Sequence, residues 1–195
     1  MPRPKTHDEA LRRRLLERAG ELLSTGGPDA VSLRRIATDV NTSTTAVYSL
    51  FGGKPALLEA LHDEAFNRFG ASLAAVPITD DPAEDLLRIG LAYRRSALED
   101  PQFYSVLYSK VVEPTREMSR AAGRTFAPVR NAVRRAIELG VYRDEDPEQI
   151  AMSMWGLAHG LVSLELNGNL PPGIDAAATY ELALRAHGRG WLAGR

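Results

Sequence analysis

The sequence predicts an all-α fold, and three observations carry the prediction. Apolar residues recur at spacings of three and four along nearly the whole chain, which places one buried stripe on each of a series of helices. No run of alternating β-branched residues is present to mark a strand. Turn-forming residues punctuate the periodic segments: Gly26–Gly27–Pro28, Gly52–Gly53, and the stretch 76–82, which holds two prolines and two aspartates.

The elements follow in order. Leu11, Leu15, Ala19, Leu22 and Leu23 form the stripe of a first helix that Gly26, Gly27 and Pro28 should end. Ser32 is placed to cap a short helix over 33–40 with a buried face of Leu33, Ile36, Ala37 and Val40. A polar run, Asn41 through Thr45, precedes another short helix that ends at Phe51. Asn41 suits a tight turn because Asn tolerates the left-handed conformation, and Ser43 suits a cap. From Lys54, the stripe Leu58, Leu61, Ala65, Phe69 and Leu73 continues to about residue 75, or about 33 Å of helix. Further helices are expected over 83–98, 102–109, 116–139, 147–166 and 176–192. The segment 147–166 is apolar around most of its circumference and should be buried on more than one side. Gly156 and Gly160, four apart on it, invite close approach of another helix, and the reading favoured is a second copy of the chain over a central helix of one subunit.

Composition narrows the function classes. The chain has 195 residues, 25% charged and 44% hydrophobic, which is globular composition. The absence of cysteine excludes disulfides and thiolate metal sites. Polar residues 1–6 without a following apolar stretch, and an apolar run near 151–166 broken by polar residues, lead to the expectation of a cytoplasmic protein without a membrane span. The net charge of −1 is unevenly spread. Residues 1–54 carry nine Lys/Arg against six Asp/Glu, a net of +3, and leave −4 for the rest. A basic N-terminal quarter suits a polyanion partner.

Two short helices joined by a tight polar turn and flanked by basic residues outline a helix-turn-helix. Thr44, Thr45 and Ala46 at the start of the second helix are short enough to let a backbone enter a major groove, where methyl groups meet thymine methyls and hydroxyls meet base edges or phosphates. Tyr48, one turn on, can donate to a phosphate, while Val47, Leu50 and Phe51 face the core. Lys54 adds charge to the N-terminus of the long helix, which favours phosphate. Arg34 is the candidate for a two-bond guanine contact; Arg35 is read as a surface or phosphate residue. Arg3 and Lys5 form either a minor-groove arm or an unstructured tail. The candidate DNA contacts are therefore Arg34, Ser43, Thr44, Thr45, Tyr48 and Lys54.

With these residues in view, the segment of about 10–62 resembles the DNA-binding domain of the tetracycline-repressor (TetR) family. The resemblance lies in Ile36–Ala37, the turn with Ser43, the Tyr48–Phe51 pair, Lys54, and Leu57–Leu58. The segment WGLAHG at 155–160 resembles a subgroup with a Trp–His–Gly signature in the C-terminal domain. Asn41 stands where the family often has Gly, Thr42 replaces a small apolar residue, and Ala46 stands where many members carry Thr. The resemblance implies a three-helix DNA-binding domain at about 1–54 and a helical ligand-binding and dimerisation domain at 55–195. It implies a homodimeric repressor bound to a palindromic double-stranded operator and released by a small-molecule effector.

Tyr93, Phe103, Tyr104, Tyr108, Phe126, Trp155 and His159 are the candidates to line an effector pocket, since such sites are mostly apolar with one or two polar groups. Aromatics at helical spacing also serve as plain core, so that alternative stands beside the pocket. No cofactor, metal ion or catalytic residue is expected. Glu59-x-x-His62 matches half of a di-iron bundle motif but has no second copy, and GGKP lacks the spacing of a phosphate loop. No HExxH or GxSxG motif occurs. The alternatives kept open are a structural DNA binder without an effector and an enzyme on a helical scaffold.

Overall fold

A computed structural model describes residues 5–109 and 116–194, with side chains described over 8–109 and 121–194. Arg3 and the side chain of Lys5 lie outside these. Nine helices occur among the described residues: α1 (Lys5–Ala30), α2 (Leu33–Asp39), α3 (Thr44–Phe51), α4 (Lys54–Ala74), α5 (Pro82–Glu99), α6 (Pro101–Leu107), α7 (Arg116–Glu138), α8 (Pro147–Leu166) and α9 (Ala176–Arg189). The all-α expectation holds; the one β-type pairing described is an isolated bridge between Tyr142 and Leu192. No described helix is long and apolar enough to cross a membrane.

The chain divides into two compact units. The first comprises Met1–Asn67 and Gln102–Ala121, the second Arg68–Pro101 and Ala122–Arg195.

In the first unit, α1 buries Leu11, Leu15, Leu16, Ala19, Leu22 and Leu23 along one stripe. Its regular path breaks at Gly27, whose φ of 69° is open to glycine, and Pro28 follows without an N–H to continue the ladder. Ser32 caps α2 by accepting the Arg35 N–H at 3.5 Å. Ile36 and Ala37 are buried as expected, whereas Leu33 and Val40 are only half-buried. Arg18 fastens α1 to α2, with Nε donating to Asp39 at 2.7 Å and Nη1 to Glu21 at 2.6 Å. The Arg12 guanidinium lies 5.6 Å from the centre of the Phe51 ring, a cation–π contact to the end of α3.

In the second unit, three helices begin at aspartate caps. Asp81 accepts from the Ala83 and Glu84 N–H groups, Asp146 from Glu148 and Asp175 from Ala178. Pro82 and Pro147 occupy the first helical position after two of them, where a missing N–H costs nothing. The core gathers Leu86, Val133, Ala136, Tyr142, Ile150, Ala151 and Met154. Helices α8 and α9 pack on each other and both pack on α5. At Gly90 a Cβ would stand 2.5 Å from Leu184 Cδ1, so glycine permits the α5–α9 approach, which the buried Tyr180 hydroxyl seals by donating to the Gly90 carbonyl at 2.9 Å.

Helix α8 is the segment expected to be buried on more than one side, one of them by a second copy of the chain. Within one chain it buries a single stripe, Ile150, Ala151, Met154, Ala158 and Val162. The opposite ridge, Met152, Gly156, Gly160 and Leu164, is exposed, with Met152 at 55%. Its apolar residues are thus laid along two faces, and the chain itself covers one.

Candidate nucleic-acid interface and effector site

The turn between α2 and α3 is set by one backbone requirement. Asn41 is the only described non-glycine residue with positive φ, at 55°. Around it the Thr42 N–H donates to the Ala37 carbonyl at 2.8 Å and the Asn41 N–H to Thr38 at 3.1 Å, the paired bonds of a Schellman ending. Ser43 Oγ then accepts the Ala46 N–H at 3.1 Å and starts α3. Val47 and Phe51 are buried and Leu50 half-buried. Gly52, φ 78°, closes α3 by donating its N–H to Tyr48 at 2.7 Å. Of the glycine pair only Gly52 uses a left-handed conformation; the Gly53 carbonyl instead accepts from Leu57 at the start of α4.

The outward face of α3 carries Thr44, Thr45, Tyr48 and Ser49, with Ser43 just before it, all exposed. Tyr48 is 56% exposed, a large aromatic left in solvent beside the core it flanks. Arg34 on α2 is exposed, and no ion pair to it is found among the described residues, whereas neighbouring Arg35 approaches Asp39 at 3.8 Å. Lys54 has a structural partner that the sequence did not disclose: its ammonium donates to the Pro28 carbonyl at 2.7 Å, just past the break in α1. That bond uses one of the ammonium's three protons and leaves its charge at the start of α4.

Four of the seven aromatic and histidine candidates meet in the second unit. Phe126 and Trp155 stack with ring centres 5.2 Å apart, and Phe69 meets Tyr93 edge-on at 4.8 Å. The Trp155 Nε1–H donates to the Tyr93 hydroxyl oxygen at 3.3 Å, and that hydroxyl lies 3.3 Å from His159 Nδ1. An indole only donates, so the Tyr93 hydroxyl accepts from Trp155, and the ring tautomer of His159 sets whether that hydroxyl donates to Nδ1 or accepts from it. Burial pushes the His159 pKa down, which agrees with a neutral ring. The cluster is a stack of aromatic faces threaded by one polar chain. Phe103, Tyr104 and Tyr108 belong to the first unit, where Tyr104 and Tyr108 face each other at 5.2 Å.

Two features of the second unit were not legible in the sequence. A cavity of about 380 Å³ lies between the end of α4, the linker after it, α5 and α7, walled by Leu73, Ile78, Ile89 and Pro128 with Arg124 at its edge. Beside it Asp85, 2% exposed, accepts from the Thr79 N–H at 2.9 Å, the Thr79 hydroxyl at 2.7 Å and Arg135 Nη1 at 3.0 Å, while Arg135 Nη2 donates to the Thr79 carbonyl. Burial alone would raise the Asp85 pKa, but these donors outweigh it and hold the carboxyl below its ordinary range. In the sequence Asp85 resembles any solvated acid in a helix first turn; only a folded linker turns Thr79 towards it.

Glu59 and His62 do not form a metal site: Glu59 is exposed, whereas His62 is 8% exposed against the Phe66 ring. Among the described residues no group of three or more His, Asp or Glu is placed to hold a metal ion.

Two family models match the chain. One, described as bacterial regulatory proteins of the tetR family, covers residues 15–61. The other, a tetracyclin repressor-like C-terminal domain, covers residues 86–187, more than half of the chain. The chain is similar to the structure of a protein of unknown function from Rhodococcus sp. RHA1, with 26% identity over 93% of this chain and 95% of that one and a TM-score of 0.82. It is similar in fold to the TetR family transcriptional regulator PfmR from Thermus thermophilus, at 24% identity, coverage of 90% and 95%, and TM-score 0.72. The fold also resembles that of RolR in complex with resorcinol, at 22% identity, coverage of 98% and 92%, and TM-score 0.60. No curated protein matches.

Proposed function

The chain belongs to the tetracycline-repressor family of bacterial transcriptional regulators, and from that premise we propose that it is a cytoplasmic homodimeric repressor that grips a palindromic operator and is released by a small molecule. Family membership removes the enzyme alternative, since these regulators are not enzymes. The observation that carries the proposal is the α2–turn–α3 unit. Its core face is closed by Val47 and Phe51, its turn is fixed by left-handed Asn41, and its other face presents small hydroxylated side chains to solvent. Such a helix fits a major groove, with Tyr48 and Lys54 positioned for phosphates and Arg34 for a base edge.

Dimerisation rests on the uncovered ridge of α8. A Cβ added at Gly156 or Gly160 would meet nothing within 4 Å, and Met152 and Leu164 flank them in solvent. Leu182 on the adjoining α9 is exposed as well. A flat apolar strip with glycines at its centre fits the same strip of a second copy across a two-fold axis. That symmetry presents two copies of α3 to two half-sites.

The Tyr93–Trp155–His159 chain with Phe126 supplies the effector reading: aromatic faces for a ring, and a hydroxyl–imidazole pair that can exchange its internal bonds for bonds to a ligand. The WGLAHG segment, which contributes Trp155 and His159, supports placing the chain in the Trp–His–Gly subgroup. An effector shifts the dimer only in so far as it binds the DNA-incompatible form more tightly.

Selection of binding sites from a random duplex pool at near-physiological salt tests the function. Enrichment of a palindrome is expected. Recovery of duplexes without a shared motif would instead identify the sequence-tolerant structural binder.

A further inference from the structure

Between Val40 and Gly52 the chain contains no charged residue. Val47 and Phe51 occupy the buried side of α3, and at 100° per residue Thr45 and Ser49 point the opposite way, flanked by Thr44 and Tyr48 on one side and the half-buried Ala46 on the other. A groove-reading helix usually distinguishes guanine with Arg or Lys, cytosine with Asp or Glu, and adenine with Asn or Gln. None of these stands on α3. The hydroxyls of Thr44, Thr45 and Ser49 rotate freely between donor and acceptor, so they accept any base edge. What remains chemically selective is methyl surface, carried by Thr44, Thr45 and Ala46. The one base feature that matches it is the C5-methyl group of thymine.

We infer that α3 reads its half-site as a pattern of thymine methyl groups, and that the base pairs beneath it are A·T. Guanine specificity then falls to Arg34, which lies on α2 and not on the helix in the groove. Asn41, in the turn, agrees with this, since a carboxamide pairs with adenine and so with an A·T pair. This inference rests on the helix-turn-helix reading of α2 and α3 and narrows its ligand from a duplex to a class of half-site.

The test uses the full-length protein and its selected duplex, with each half-site thymine replaced in turn by deoxyuridine, which removes the methyl group and nothing else. Anisotropy titration should show affinity falling about fourfold for each methyl that α3 covers, the value of one buried CH₂-sized group. The double substitution Thr44→Ser and Thr45→Ser keeps both hydroxyls, changes only exposed positions, and should bring the thymine and uracil duplexes towards equal affinity. Equal affinity of the unsubstituted protein for both duplexes would overturn the methyl reading and leave DNA binding standing. A selected half-site made of G·C pairs under α3 would overturn it too. Failure to bind any duplex would remove the helix-turn-helix reading and this inference together.

Discussion

Substitution of Asp85 by alanine gives the sharpest stability prediction. The side chain is 2% exposed and accepts three bonds that hold the 76–82 linker against α7: from the Thr79 N–H, the Thr79 hydroxyl and Arg135. Bonds to a charged group contribute about 1.5–3 kcal/mol each. The Arg135 side chain is 28% exposed, so water replaces part of what the substitution removes, and its remaining bond to the Thr79 carbonyl persists. A net loss of about 3 kcal/mol follows. For a chain of this size that lowers the melting temperature by about 6–12 °C. Circular dichroism melts at pH 7 measure it. The pH dependence fixes the cause. A carboxyl whose folded pKa lies below its unfolded value contributes fully above about pH 4 and loses that contribution as pH falls through the folded pKa. The gap between native and Asp85→Ala proteins should therefore be full at neutral pH and close in strong acid. Equal melting temperatures at pH 7, or a gap that persists unchanged into strong acid, would refute the argument.

Four further outcomes are expected. Lys54→Ala should weaken binding to all duplexes alike and reduce the salt slope of log K by about one; an unchanged slope would mean that the ammonium serves only its bond to Pro28. Arg34→Ala should relax preference at a single operator position, and an identical selected motif would show that it reads no base. Gly160→Leu should halve the mass seen by light scattering, from two chains to the 21.3 kDa of one, with helix content unchanged; a mass that stays at two chains would move the interface elsewhere. Burial lowers the pKa of His62, His159 and His187, so the unfolded chain protonates first, and stability should decline as pH drops below about 6.5. Flat melting temperatures between pH 7 and pH 5 would contradict that.

How far the sequence disclosed this molecule depended on whether a residue's task was local. Asn41, Ser43 and Gly52 were legible because each meets a need of its own few residues: a left-handed turn, an unpaired N–H, a helix stop. The apolar excess of α8 was legible too, but which face the chain would cover was not, since that depends on where α5 and α9 pack. The seven aromatic and histidine candidates looked alike as helix-spaced rings. Only the tertiary arrangement gathers Tyr93, Phe126, Trp155 and His159 in one unit and assigns Phe103, Tyr104 and Tyr108 to the other. Lys54 reads from the sequence as a phosphate contact and Asp85 as a solvated acid; their partners in the fold, the carbonyl of Pro28 and the whole of Thr79, are backbone groups or linker residues with no sequence signature.

Whether one dimer meets one operator through two recognition helices is tested most directly by a hydroxyl-radical footprint of the full-length protein on its selected duplex. Two symmetric protected patches on one face of the DNA are expected, centred one helical turn or a whole multiple of it apart, about 34–36 Å per turn. A single patch, or protection spread evenly along the duplex, would contradict a dimer that places two copies of α3 in successive grooves.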